Sequence, residues 1–423
     1  MISFIASAIF VLGYIGIAME STFRISKAAF ALITGAVLWT MVAIAKPEIL
    51  GHEIAETGGE IFGLIGFLLA AMSLVEILLH YRFFDVIRGK LFALKVGERA
   101  QLVIVGGTAF LLSAVIDNLT TSIVMTQIST KFFKGQNLLK AVVLVVIAAN
   151  AGGSFSPIGD ITTIMLWLAG KFGTLEIIYK AFLPALALFG VSAFLIARTI
   201  KKETQDITTE IVQKLHPSEK FVIAITFAAF LLPLTASLMG LPPYMGLLFG
   251  LGVVWLTVDL LKHGKNPRHT HLQASIEEFI KRIDIASIKF FMGILLAVSA
   301  LNAIGVLENV SHMLYGQEPS LWRMVGANAA LGMLSAIVDN IPLTAIAIDI
   351  MHTPIDSLWI LLALTVGTGG SLLVIGSAAG VIAMGMVKEL TFMKYFRIAF
   401  IPALLGFFAA IGVWLFEFFF LGW

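Results

Sequence analysis

Apolar runs of about 17 to 25 residues, enough to cross roughly 30 Å of hydrocarbon, recur along the chain between short polar stretches. They predict spanning helices near residues 2–19, 28–45, 61–81, 138–170, 175–198, 220–238, 243–262, 286–305, 355–387 and 394–420. Two further apolar regions, 100–131 and 320–352, break the pattern, because each holds an Asp-Asn pair near its middle. The first reads SAVIDNLTTSIVM from Ser113 and the second SAIVDNIPLTAIAID from Ser335. A single helix of about 32 residues would be roughly 48 Å long, too long for one crossing. Each region is therefore expected to fold as a re-entrant hairpin of two half-helices, with Asp-Asn at or near the tip.

Charge placement supports the hairpins. If both return to the side they entered, all but Lys46, Lys171, Lys180 and Arg323 of the 28 Lys and Arg fall on one side, taken as cytoplasmic. Full crossings would instead separate Lys131, Lys134 and Lys140 from Arg82, Arg88 and Lys90. With ten crossings both termini face outward, and the 46–60 stretch reads as an acidic external loop. Of the 423 residues 59% are hydrophobic and 13% charged, against about 25% charged in a soluble domain. A net charge of +2 gives no sign of nucleic acid, and the absence of Cys excludes disulfides and thiolate metal sites. The fold class is an all-α polytopic membrane protein.

Residues 61–198 and 286–420 share one order: helix, hairpin, long broken helix, helix. Five crossings separate their starts, an odd number, so the two units form inverted repeats, the architecture of secondary transporters with a site where the breaks meet. The expected organisation is an N-terminal helix pair (1–58), repeat one (59–200), cytoplasmic loops with two linking helices (201–284) and repeat two (285–423). The broken helices carry NAGGSFSPIGDITT (150–163) and GTGGSLLVIGSAAG (367–380). Pro157 lacks an N–H, and irregular backbone at membrane depth survives only where it lines protein or water. Freed carbonyls with Ser, Thr and Asn oxygens and a carboxylate suit a hard cation.

Asp117 and Asp160 lie at the two breaks of repeat one, Asp339 at the hairpin of repeat two, and Ser377 at the position equivalent to Asp160. No Lys or Arg lies within these stretches. An intramembrane charge costs about 2.5–3.5 kcal/mol on insertion scales, so such a carboxylate favours a bound proton or a metal ion, and can exchange one for the other. A plainer role is helix capping, by Asp117 or Asn118 for the returning half-helix and by Asp160 for ITTIML; capping and ligation are compatible. Ser113 and Ser335 read as donors to backbone carbonyls. Glu76 and His80 read as an interfacial pair or part of a proton path, Asp349 as an interfacial acid, and HGKNPRHTH (263–271) as a solvated linker or pH sensor.

The stretches SAVIDNLTTSIVM, NAGGSFSPIGDITTIMLW (150–167) and GTGGSLLVIGSAAGVIAMGM (367–386) resemble the NhaD-type sodium/proton antiporters of the ion transporter superfamily. GYIGIAMESTFRISKAAFALITGAVLW (13–39) and AAMSLVEILLHYRFFDVI (70–87) are similar to that family as well, with Phe155 where Trp is more usual. The resemblance implies export of Na+, and of Li+, in exchange for H+ across a bacterial inner membrane, by a homodimer whose transport domain moves against a scaffold. It implies ion- and proton-binding roles for Asp117, Asn118, Thr120, Thr121, Asn150, Asp160, Thr162 and Thr163, joined by Ser154 from the same motif. In repeat two it implies Ser335, Asn340 and Ser371, to which the repeat adds Asp339 and Ser377. Sodium is expected at Asp117, Asn118, Asp160 and nearby backbone carbonyls, with no cofactor; the partners are small inorganic cations and membrane lipid. The alternative is an anion carrier of the same architecture, for a dicarboxylate or arsenite. A membrane-embedded enzyme is disfavoured, since no intramembrane His cluster or nucleophile–base pair is found.

Overall fold

The computed structural model describes residues 2–20, 24–200, 215–263, 283–317 and 320–422. The linker histidines at 269 and 271 lie outside them. All the regular structure among the described residues is helical. The first helices are α1 (Ile2–Ala18), α2 (Lys27–Ala45) and α3 (Pro47–His80), with α10 (Pro217–Leu238), α11 (Pro243–His263) and α12 (Ile285–Ile304) in the middle of the chain. These six pack chiefly on one another. The α2–α12 crossing is tight because glycine meets glycine: a Cβ on Gly35 would stand 2.9 Å from the Gly293 carbonyl oxygen, the close approach that small residues permit between membrane helices.

The second packing group takes elements from both predicted repeats. Repeat one supplies α5 (Glu98–Ser113), α6 (Asn118–Phe132), α7 (Gly135–Gly153), α8 (Ile161–Leu168) and α9 (Thr174–Arg198), after a short α4 (Phe83–Ala93). Repeat two supplies, after a short α13 (Val306–Leu314), α14 (Leu321–Leu334), α15 (Asn340–Ile350), α16 (Asp356–Gly369), α17 (Ala378–Met386) and α18 (Phe392–Phe420). The second hairpin arm of each repeat packs on the second half of the other's broken helix, α6 on α17 and α15 on α8, while α9 lies along α18. The short helices α4 and α13 join the two groups.

The chain is a multi-pass membrane protein, with eight described helices long and apolar enough to span a bilayer. Ten crossings were expected. The difference has two causes: α1 has 17 residues, and the 355–387 span is cut by its glycine break into the shorter α16 and α17. The 46–60 stretch is not a loop. Pro47, with no N–H to lose, opens α3 as a first-turn residue, and the helix carries its acidic end beyond the apolar core. α4 and α13 also fall where loops were expected.

Candidate cation site at the helix breaks

Both hairpin tips are built alike. The N–H groups of Val115 and Ile116 close on the Leu112 carbonyl, and those of Ile337 and Val338 on the Leu334 carbonyl. An aspartate then caps each returning helix. Asp117 accepts the Thr120 N–H at 2.8 Å, and Asp339 accepts the Ile341 N–H at 3.3 Å. Each tip is tied to its broken helix by a serine: Ser113 Oγ donates to the Ala149 carbonyl (2.7 Å), and Ser335 Oγ to the Val366 carbonyl (2.8 Å). Where hairpin and broken helix cross there is no room for a side chain. A Cβ on Gly152 would collide with the Phe110 carbonyl, and one on Gly369 with the Gly332 carbonyl.

The breaks then diverge in chemistry. Asp160 precedes α8, its backbone fixed by Thr163 Oγ1, which donates to the Asp160 carbonyl at 2.7 Å. Its carboxylate is also met by both hairpins. Asn118 Nδ2 donates to Oδ1 at 2.9 Å and Asn340 Nδ2 to Oδ2 at 3.3 Å. Asn118 also donates to Asn150 Oδ1 (3.1 Å), whose Nδ2 reaches Ser371 Oγ (2.9 Å) and Ser377 Oγ (3.1 Å). Asn150 and Asp160 are each 1% exposed. One polar network thus ties both tips to both breaks around a single buried acid.

A cavity of about 70 Å³ opens beside it, lined by Asp117, Asn118, Asp160, Asp339, Asn340 and Ser377 on one side. Leu68, Met72, Phe230, Phe291 and Lys27 line the other. Among the described residues no ion pair reaches Asp117 or Asp160. Asp339 differs, because Lys27 Nζ lies 3.3 Å from its Oδ2. The sequence expectation that no base neutralises the acids is corrected here: the cation comes from α2, 312 positions away.

Asp117, Asn118, Asp160, Asn340 and Ser377 converge on the cavity, and Asn150 and Ser371 stand behind them in the network. Thr120 contributes its N–H to Asp117. The Thr121, Ser154 and Ser335 hydroxyls donate to the carbonyls of Ile116, Ala151 and Val366, so they stabilise the bends. Thr162, two residues after Asp160 at the start of α8, is fully buried. Glu76 and His80 sit in the last turns of α3 and Asp349 in the last turn of α15, none of them lining the cavity. Phe155 stacks on Phe110 at 5.1 Å and meets Phe182 edge-on at 5.3 Å behind the break. Lys27 and Tyr14, whose hydroxyl accepts the Asp339 N–H at 3.2 Å, were missed by sequence reasoning. The only signal was their place in the 13–39 stretch, where Lys27 counted merely as a loop charge.

The profile of the citrate transporter family, CitMHS, matches residues 14–367. Sodium/proton antiporter 2 of Arabidopsis thaliana is 36% identical over 419 residues, covering 96% of this chain and 98% of its own. The Na(+)/H(+) antiporter NhaD of Halomonas elongata is 30% identical over 438 residues, covering 97% and 87%. Among solved structures, the YdaH transporter of Alcanivorax borkumensis superposes with a TM-score of 0.58 at 14% identity, over 94% of this chain and 97% of that one, a likeness of fold. The chain belongs to the CitMHS citrate transporter family, alongside relatives named as NhaD-type sodium/proton antiporters.

Proposed function

We infer that this protein exchanges cytoplasmic Na+, and Li+, for external H+. The observation that carries this reading is the Asp160 carboxylate, buried and held by two neutral amides, with Asp117 in the same cavity and, among the described residues, no basic residue paired to either. Neutral donors orient a carboxylate without cancelling its charge. In a low-dielectric site a bound cation or a proton completes that cancellation, and competition between the two is antiport. The cavity lies level with Lys27 and Ser287, in the first turns of α2 and α12. Positive-inside counting puts these ends on the cytoplasmic side, so the conformation described faces inward. Na+ arriving there displaces protons from Asp117 and Asp160. The second packing group, two inverted repeats, then shifts against the first, which serves as a dimerising frame. Na+ leaves outward, protons reload the acids, and the proton gradient drives the cycle.

One observation favours an anion carrier: Lys27 lines the cavity, in a family whose profile is described as a citrate transporter. Its charge is matched by Asp339, which leaves Asp117 and Asp160 to repel an anion. Everted vesicles with an acid interior and a pH-sensitive dye decide between the two. Sodium should dequench the dye for the wild type and for neither Asp117→Asn nor Asp160→Asn. A wild type that ignores Na+ and Li+ at every pH but takes up labelled citrate or succinate overturns the antiport reading.

A further inference from the structure

Asp117 and Asp339 are equivalent by the repeat, yet the chain treats them differently. Asp117 accepts only from its own helix, through the Thr120 N–H. Asp339 is gripped twice from the other packing group. Lys27 Nζ meets its carboxylate at 3.3 Å, and its backbone N–H donates to Tyr14 Oη at 3.2 Å. Neither grip comes from a loose side chain. The Lys27 N–H is held by Glu20 Oε1 at 3.0 Å, its ammonium lies 4.3 Å from the centroid of the buried Phe290 ring on α12, and α2 is locked to α12 through Gly35 and Gly293. The ammonium and the carboxylate, 27% and 23% exposed, both line the cavity that holds Asp160.

We propose that Asp339 is not a sodium ligand but the anchor of a clasp, Lys27 and Tyr14 on one side and the second hairpin tip on the other, which holds the moving group in the inward-facing position and must open in every transport cycle. Lys27 is a positioning residue. Its ammonium supplies the counter-charge of the second tip, so sodium is left to the acids of the first. A cation entering the same cavity meets a like charge there, which weakens the clasp when the site is loaded. The proposal rests on the antiport reading for what the clasp regulates, and on geometry alone for its existence.

The test uses the absence of native Cys. Lys27→Cys combined with Asp339→Cys gives a chain whose only thiols flank the clasp, and a short bis-methanethiosulfonate spacer spans the gap the lysine leaves. Bridging should proceed in the absence of sodium and stop exchange until reductant removes the spacer. Lys27→Gln, alone or together with Asp339→Asn, should lower the maximal exchange rate by up to about fivefold, the upper scale of one partly exposed charge pair, with half-saturating Na+ unchanged within about twofold. The swap Lys27→Asp with Asp339→Lys should restore most of the rate, which assigns the effect to the pair rather than to either residue alone. Exchange at full rate in the bridged protein, or loss of Na+ affinity as in Asp160→Asn when Lys27→Gln and Asp339→Asn are combined, overturns the clasp. Efficient bridging in a protein whose wild type exchanges no sodium upholds the clasp and removes the antiport reading alone.

Discussion

Asn118 and Asn340, each following a tip aspartate, donate to opposite oxygens of one carboxylate, that of Asp160, at 2.9 and 3.3 Å. Two hairpins from different halves of the chain thereby converge on one acid. Asn118→Ala and Asn340→Ala should each weaken half-saturating Na+ by about 5- to 150-fold, the cost of stripping a donor from a buried acceptor. The double variant should lose less than the sum, because both act on one group. Titrating exchange against Na+ for the three variants checks this, and strict additivity would sink it.

On the antiport reading Asp117 has two jobs, capping and ion exchange, that substitution separates. Asparagine caps a helix as well as aspartate does, so Asp117→Asn should keep the Thr120 bond and the melting temperature while losing sodium exchange. Asp117→Ala should lose exchange and also about 1 kcal/mol of stability. Thermal melting in detergent beside vesicle transport reads both. Normal exchange by Asp117→Asn would leave capping as its whole role.

The bare crossing points predict a stability map. Gly152→Ala and Gly369→Ala drive a methyl into a backbone carbonyl and should cost about 3 kcal/mol, the upper range for overpacking. Gly190→Ala, on α9 with nothing within 4 Å of the new methyl, should be neutral or gain about 1 kcal/mol. Monodispersity and melting of the three proteins give the ranking.

The serine ties make a milder pair. Ser113→Ala and Ser335→Ala should each cost about 1 kcal/mol. Their effects should add in the double variant, since each serine bonds a separate carbonyl in its own repeat. Equilibrium unfolding of both singles and the double measures this.

The tips and breaks were legible because charge in an apolar run, and Gly with Pro inside a long helix, are costly local events that a sequence cannot hide. The two serines read as carbonyl donors by local chemistry, but the carbonyls they reach lie 36 and 31 positions away, on the broken helices. What escaped notice was either polar or distant. PEILGHEIAETGGE reads as a loop by polarity, although Pro47 marked a helix start, and the amphipathic Phe83–Ala93 and Val306–Leu314 were hidden among loop charges. The meeting of Lys27 with Asp339, and of two asparagines with Asp160, joins residues that no local pattern relates. Only packing brings them together.

The glycine-to-carbonyl crossings have a mechanical meaning. Backbone laid directly on backbone leaves no side chain to rotate and no soft layer to shear, and close-packed interiors transmit strain rather than absorb it. In the proposed cycle each hairpin and the broken helix behind it would therefore travel as one hard piece. Compliance lies instead among Leu68, Met72, Phe291, Ile161 and Ile164, which line the cavity. There, long apolar side chains can exchange rotamers without breaking a hydrogen bond, and in the proposed cycle that layer would be the bearing on which the hard piece slides.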